Sequence, residues 1–319
     1  MLTTLRLKPD EAGIFRAAEL LRAGELVAFP SETVYGLGGD ARNDAAVAGI
    51  YTAKGRPSFN PLIVHLPDLD AVRRYAEVGP EAEALARAFW PGPLTLVLPL
   101  RPDAGLSPRV TAGNHSLAVR IPAHPVARAL LQVSGVPLAG PSANPSGRIS
   151  PTTAEHVLEG LDGRIAAVLD GGACRVGVES TILAPGQPPH LLRPGGISAE
   201  EILAVLGTLP LRPEEDPARP VAPGQLSSHY APDALVRLNA GSRRANEVFI
   251  GFGAVGTGAE FNLSPTGDLN EAAAQLFAVL RDADRQAGPG GRIAIAPVPT
   301  AGIGLAINDR LKRAAAPRS

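Results

Sequence analysis

Residues 54–65, KGRPSFNPLIVH, decide how this chain is read. Of its 30 basic residues only three are lysine: Lys8, Lys54 and Lys312. Arginine holds nearly every other position where a positive charge would do. A lysine kept beside Arg56, ahead of the apolar run Leu62-Ile63-Val64, suggests a site that wants a compact ammonium rather than a planar fork, as phosphate oxygens do. On composition alone, a lysine on a solvated loop is the competing reading.

Outward from that stretch, the chain alternates helix and strand signals. Residues 11–25 carry Ile14, Ala18 and Leu21 at helical spacing, with Asp10 as N-cap and Gly24 near the stop. ELVAFP reads as a short buried strand ended by Pro30, and Pro30–Gly38 as a turn with a flexible glycine loop. ALARAFW ends a helix before the breaker at 91–93, and LTLVLPL and SLAVRIP are strands. PVARALLQ and TTAEHVLEGL are helices; VPLAGPSA, IAAVLDGG and STIL contain strands. A helix over 198–207 opens on a capping box, Ser198 with Glu201. Hairpin-like neighbours and crossovers both occur, which predicts an α/β fold with a mixed sheet rather than a strict Rossmann winding.

From 209 to 232 the chain is proline-rich and aperiodic, a linker. Beyond it come two strands, ALVRLN and EVFIGFG, then an amphipathic helix with Asp268 as N-cap and Glu271 completing a box. The strand RIAIAPV and the helix AINDRLKRAAA follow. The expected organisation is 1–208 as the main domain, 209–232 as linker and 233–319 as a small α/β domain.

Bulk composition excludes several classes. A net charge of −1 gives no global field to draw the chain onto nucleic acid or membrane. The single cysteine, Cys174, excludes an internal disulfide and a cysteine-rich zinc site. The N-terminus lacks the apolar core of a signal peptide and no apolar run reaches 18 residues, so a cytoplasmic location is expected. No Walker A loop, Gly-x-Ser-x-Gly elbow or HExxH spacing occurs, and a dedicated metal site is not expected.

Five polar clusters fall where strands are predicted to end, the usual place for ligands in open α/β sheets. They are Pro30–Gly38; Lys54, Arg56, Asn60 and His65; Arg120; Gly140–Ser150; and Glu179-Ser180-Thr181 with Arg193 before a glycine pair. Arg120 inside an apolar strand faces either a cavity or an acidic partner, or snorkels to water. The serine-rich and glutamate clusters are also compatible with surface turns and strand edges. Together, cations and hydroxyls without a nucleophile suggest catalysis by orientation and charge neutralisation.

In order, PSETVYGLGGDA, KGRPSFNPLIVH, PGPLTLVL, LAVRIPAHP, GPSANPSGRISPT, VGVESTI and LLRPGGIS resemble the YrdC/YciO-type threonylcarbamoyl-AMP synthases. PGQLSSHYAP and GLAINDRLKRAA extend the resemblance to their long two-domain form. The resemblance implies a YrdC-like twisted mixed sheet around a positively lined cavity, plus a smaller Rossmann-like C-terminal domain. It implies condensation of L-threonine, bicarbonate or CO₂ and ATP to threonylcarbamoyl-AMP and pyrophosphate, for threonylcarbamoyl-adenosine in tRNA. Carried over, Lys54, Arg56, Asn60, Ser116, Ser142, Ser150, Arg193 and Tyr230 match nucleotide contacts, with Lys54 and Arg56 as the catalytic cations. Thr33, His65, Arg120, Gly140 and Ser180 match the surroundings of threonine, and the linker reads as a lid carrying Tyr230. Mg²⁺ is expected to travel with ATP, and transfer proteins and tRNA are expected downstream. Gln225-Leu226-Ser227-Ser228 lacks the basic residues some relatives carry before the His-Tyr pair. The alternative is an RNA-binding or regulatory module on the same fold, without adenylate synthesis.

Overall fold

The structure, a computed structural model, describes residues 3–213 and 229–317. Most of the expected linker, including Gln225-Leu226-Ser227-Ser228, lies outside them. A ten-stranded mixed sheet runs in the order Leu5–Leu7, Ala167–Leu169, Val27–Phe29, Gly36–Asp40, Leu138–Ala139, Ile63–His65, Ser116–Arg120, Leu94–Pro99, Thr181–Ala184 and His190–Arg193. Parallel pairs (Ile63–His65 beside Ser116–Arg120, Leu94–Pro99 beside Thr181–Ala184) sit among antiparallel ones. The sheet is thus mixed, as the irregular alternation predicts.

The mixture corrects one expectation. Ile63–His65 runs antiparallel to Leu138–Ala139, so the polar clusters do not share a carboxyl edge. They meet over one face instead, where Ile63 and His65, two residues apart, point the same way.

The presumed glycine turn after Pro30 is a second correction. Gly36–Asp40 is a fully buried central strand, antiparallel to Val27–Phe29. The glycines make room for Phe29: a Cβ at Gly36 would lie 2.8 Å from its Cζ, and one at Gly38 3.1 Å from Cδ1. Lys54, too, is not on a loop. It ends the helix Asp44–Lys54, whose Asn43 N-cap accepts from Ala45 and Ala46 and whose Gly55 takes the left-handed φ of 60°.

The helix Ala199–Leu206 has the predicted capping box. The helix Leu269–Ala287 does not: Asp268 accepts from Asn270 and Glu271, but the Glu271 carboxylate turns to the Ser264 hydroxyl at 2.5 Å. Ser264 takes the reciprocal role and accepts from the Asp268 N–H at 2.9 Å.

The small sheet is all parallel, in the order Leu235–Arg237, Arg292–Ile295, Glu247–Gly251, Phe261–Asn262. It packs on Leu269–Ala287 and Gly304–Ala314, and its core continues into the main domain through Val34, Ile149 and Val178. Gly177, at φ 76°, lies flat on the long helix, where a Cβ would come within 2.3 Å of the Ala273 carbonyl. Arg281 donates to the Ile149 carbonyl at 2.5 Å, and Arg281 and Arg285 both pair with Glu159. Leu211, inside the expected linker, pairs with the sheet edge at His190.

Candidate active site

A cavity over the large sheet is lined by Phe29, Thr33, Arg56, Ile63, His65, Arg120, Gly140, Ser142, Glu179, Ser180, Arg193, His229 and Tyr230, among others. Of the sequence-predicted residues, Thr33, Arg56, His65, Arg120, Gly140, Ser142, Ser180, Arg193 and Tyr230 therefore converge. Lys54, Asn60 and Ser150 stand immediately behind the lining. Ser116 does not join them. It opens the strand that ends at Arg120, four residues or roughly 13 Å away, and is only half-buried.

One side of the cavity is an Arg120–Glu32 pair. Arg120 donates to Glu32 Oε1 at 2.6 Å, to Thr33 Oγ1 at 2.9 Å and to the Gly92 carbonyl at 3.2 Å. These use three of its five N–H groups and leave two for the cavity. Burial pushes Glu32 up, but the Arg120 charge and hydrogen bond outweigh it and hold the carboxyl below its usual range. His65 is buried, and burial first, then Arg120, hold its pKa at about 3, so the imidazole is neutral. Its Nδ1 has no hydrogen-bond partner among the described residues. Gly140 makes space for that ring: a Cβ there would stand 2.9 Å from Nδ1.

The other side is cationic. Arg56 donates to the Asn60 side chain at 2.7 Å and to the carbonyls of Pro61 at 2.8 Å and Asn60 at 3.2 Å. Burial lowers it to about 10, which still leaves it charged near neutrality. Lys54 is buried directly behind the cavity lining. Its ammonium donates to the Ser142 carbonyl at 2.6 Å and to that of Asn144, clamping the loop that presents Ser142. Burial, then Arg56, pull its pKa well below that of an ordinary lysine. Arg193 donates to the Ser180 carbonyl at 2.9 Å and its hydroxyl at 3.2 Å, and Thr95 shares a 2.8 Å hydrogen bond with that hydroxyl.

Four residues at the site were not singled out from sequence: Glu32, Glu179 as a charge, His229 and Arg310. Glu179 Oε1 accepts from Ser150 at 2.5 Å and Oε2 from Arg310 at 2.7 Å. Burial would raise this carboxyl, but Arg310, Arg193 and Ser150 hold it at about 2. Arg310 is fully buried, although it comes from the last helix of the small domain. It also donates to the Pro194 carbonyl at 3.0 Å and lies 5.3 Å from the Tyr230 ring centre. A sequence signal existed: Ala306, Ile307, Arg310, Leu311 and Ala314 form one buried helical stripe, and an arginine on it needs a partner. Tyr230 stacks on Phe277 with centroids 5.5 Å apart, and His229 meets Tyr230 edge-on at 4.1 Å. His229 is buried, with its pKa held at about 3 by burial, and its Nδ1 is unpartnered among the described residues.

Comparisons with known proteins agree with this architecture. The family described as Sua5_yciO_yrdC, Telomere recombination, matches residues 19–195, and the threonylcarbamoyl-AMP synthase C-terminal domain family matches 197–316. The chain is 45% identical to a Bacillus subtilis protein named threonylcarbamoyl-AMP synthase, over 99% of this chain and 96% of that one. It is 42% identical to one of the same name from Pyrococcus abyssi, over 98% and 97%. The crystal structure of P. abyssi Sua5 complexed with L-threonine superposes with a TM-score of 0.89 at 39% identity, covering 99% of this chain and 97% of that one. Escherichia coli YciO, at 22% identity and a TM-score of 0.54, shares the fold over 61% of this chain and 96% of its own.

Proposed function

The chain belongs to the threonylcarbamoyl-AMP synthase family, enzymes that transfer AMP, and from that premise we propose the full reaction and the role of each residue. The enzyme condenses L-threonine, bicarbonate or CO₂ and ATP into threonylcarbamoyl-AMP. Threonine's amine first captures CO₂ as a carbamate. A carbamate oxygen then attacks the α-phosphorus, the bond to the bridging oxygen breaks, and pyrophosphate leaves with that electron pair. The adenylate passes to proteins that transfer its threonylcarbamoyl group to tRNA.

The observation that carries this reading is the division of the cavity into a carboxylate-and-imidazole side and a cationic side. Threonine's carboxylate takes the two remaining Arg120 N–H groups, with Thr33 fixing the guanidinium. Neutral His65 offers Nδ1 to a threonine N–H or O–H. Arg56 and Arg193 face the triphosphate, and Lys54 shapes the Ser142 loop around it. Among the described residues, both carboxylates that line or border the cavity, Glu32 and Glu179, are committed to arginines. Mg²⁺ is therefore proposed to arrive on the triphosphate, where it neutralises phosphate oxygens. No helix among the described residues is long and apolar enough to cross a membrane.

The test is pyrophosphate release from ATP with threonine and bicarbonate each supplied or omitted. Release that requires both is expected. Equal release without threonine would contradict the proposal.

A further inference from the structure

Among the described residues, Arg310 is the small-domain guanidinium that bonds to the cavity wall, and its contacts outside its own helix lie on the side assigned above to the nucleotide. Its Nε closes on Glu179 Oε2, whose other oxygen holds Ser150. Its Nη2 holds the Pro194 carbonyl, next in the chain to Arg193. Its face covers Tyr230. Ser180, beside Glu179, accepts the Arg193 guanidinium at its carbonyl. The peptide segment carrying both acceptors is pressed onto the small domain at Gly177, where backbone meets backbone and no side chain fits. Asp309 accepts from Nη1 of Arg310 at 2.7 Å, so each of the three guanidinium nitrogens has a partner.

Such an arrangement does not describe a surface tether. Contacts that merely dock the two domains lie elsewhere, at the exposed Arg285–Glu159 and Arg148–Asp233 pairs. A fully buried arginine pair is a poor source of net stability compared with apolar packing, so its value lies in geometry. By contrast, the side-chain hydrogen bonds of Thr33, Glu32 and Arg120 close within residues 31–123. We infer that Arg310 is a positioning residue for the nucleotide: acting through Glu179, Pro194 and Tyr230, it fixes Ser150 and the Arg193 loop, making the small domain an integral part of the adenylation site and leaving threonine recognition to the large sheet alone. The inference rests on the proposed reaction for the identity of the two ligands.

The experiment is steady-state pyrophosphate release by the full-length chain, varying ATP and threonine separately. Arg310→Gln is expected to raise the KM for ATP by about tenfold or more while the KM for threonine moves by less than about twofold. Arg310→Lys keeps the positive charge without the fork and falls between. Arg285→Gln, which breaks an exposed interdomain pair, leaves both constants unchanged. The double variant Arg310→Met/Glu179→Gln strands no buried charge, so it keeps the test open where the single variant does not fold. Its ATP defect matches that of Arg310→Gln. A lowered melting temperature with both constants unchanged, or a parallel rise in both, overturns the inference. If the wild-type chain releases no pyrophosphate, the reaction assignment fails, and Arg310 is judged on equilibrium binding of ATP alone. Weaker ATP binding by both Arg310 variants then upholds the positioning role, and equal binding ends it.

Discussion

The threonine side and the nucleotide side of this cavity are built differently. Thr33, Glu32, Arg120, His65 and Gly140 come from neighbouring strands of one sheet or the loops leaving them, and their partners lie in that same domain. Ser150, Glu179, Arg193, Tyr230 and Arg310 come from loops, strand ends and the last helix of a second domain. Rigid elements hold small-ligand groups in place by themselves. A long, flexible triphosphate needs its contacts assembled from several segments, and the structure ties those segments through one buried carboxylate. Ser180 stands between the two sides, bonded to Thr95 on the sheet and to Arg193 across from it.

The change that breaks the distinction most completely is Lys54→Met. It strands two buried carbonyls, at about 1–3 kcal/mol each, and releases the loop that carries Ser142 between the two sides. Stability should fall by roughly 2–6 kcal/mol, and pyrophosphate release by at least about a hundredfold at saturating substrates. Chemical denaturation beside single-turnover rates checks both; unchanged stability would remove Lys54 from the loop-clamping role.

Arg120→Gln attacks the threonine side alone. Leaving Glu32 buried and unpaired should lower stability by about 3–5 kcal/mol, and the KM for threonine should rise far more than that for ATP. The double variant Arg120→Met/Glu32→Gln should recover stability without recovering threonine affinity, which separates the two roles of the arginine. Equal effects on both substrates would show that the two sides are not independent.

Gly140→Ala is the finer probe. Its Cβ would crowd His65 Nδ1 at 2.9 Å and Phe29 Cζ at 3.2 Å. A loss of about 1–3 kcal/mol in threonine affinity is expected by calorimetry, with ATP binding intact.

Acid titrates the two buried histidines and Glu179 in different windows. His65 and His229 both sit at about 3 when folded, against an ordinary 6.5. Below 6.5 the unfolded chain binds protons that the folded chain refuses. Stability therefore declines from about pH 6.5 downward, by at most roughly 2 kcal/mol per histidine near pH 5. Glu179 adds nothing in that window. Its folded value of about 2 lies below its ordinary 4.5, so its contribution is complete above 4.5 and is lost as pH falls toward 2. Melting curves of wild type and His65→Gln between pH 7 and 5 should diverge, with the shallower slope in the variant; parallel curves would refute the assignment.

Much of the frame was legible in the sequence because it is written in local signals. Asp10, Ser198 and Asp268 cap helices where their spacing predicts. The irregular order of strands and helices yields a mixed sheet. Other features escaped because their cause is distant in the chain. Gly36–Asp40 looks like a loop until Phe29 is seen to fill the space its glycines leave. Lys54 reads as an unattached cation until carbonyls 88 and 90 residues away take two of its N–H groups. Arg310 stood in view on an apolar helical stripe, and its partner Glu179, 131 residues earlier, is what no local reading supplies.

The central claim is that one cavity joins a carbamylated threonine to the α-phosphate of ATP. Mass spectrometry of the nucleotide product formed from isotope-labelled bicarbonate tests it most directly. The account predicts an adenylate that contains both threonine and the label, formed together with pyrophosphate. AMP released without label, or a threonyl adenylate lacking the bicarbonate carbon, would contradict it.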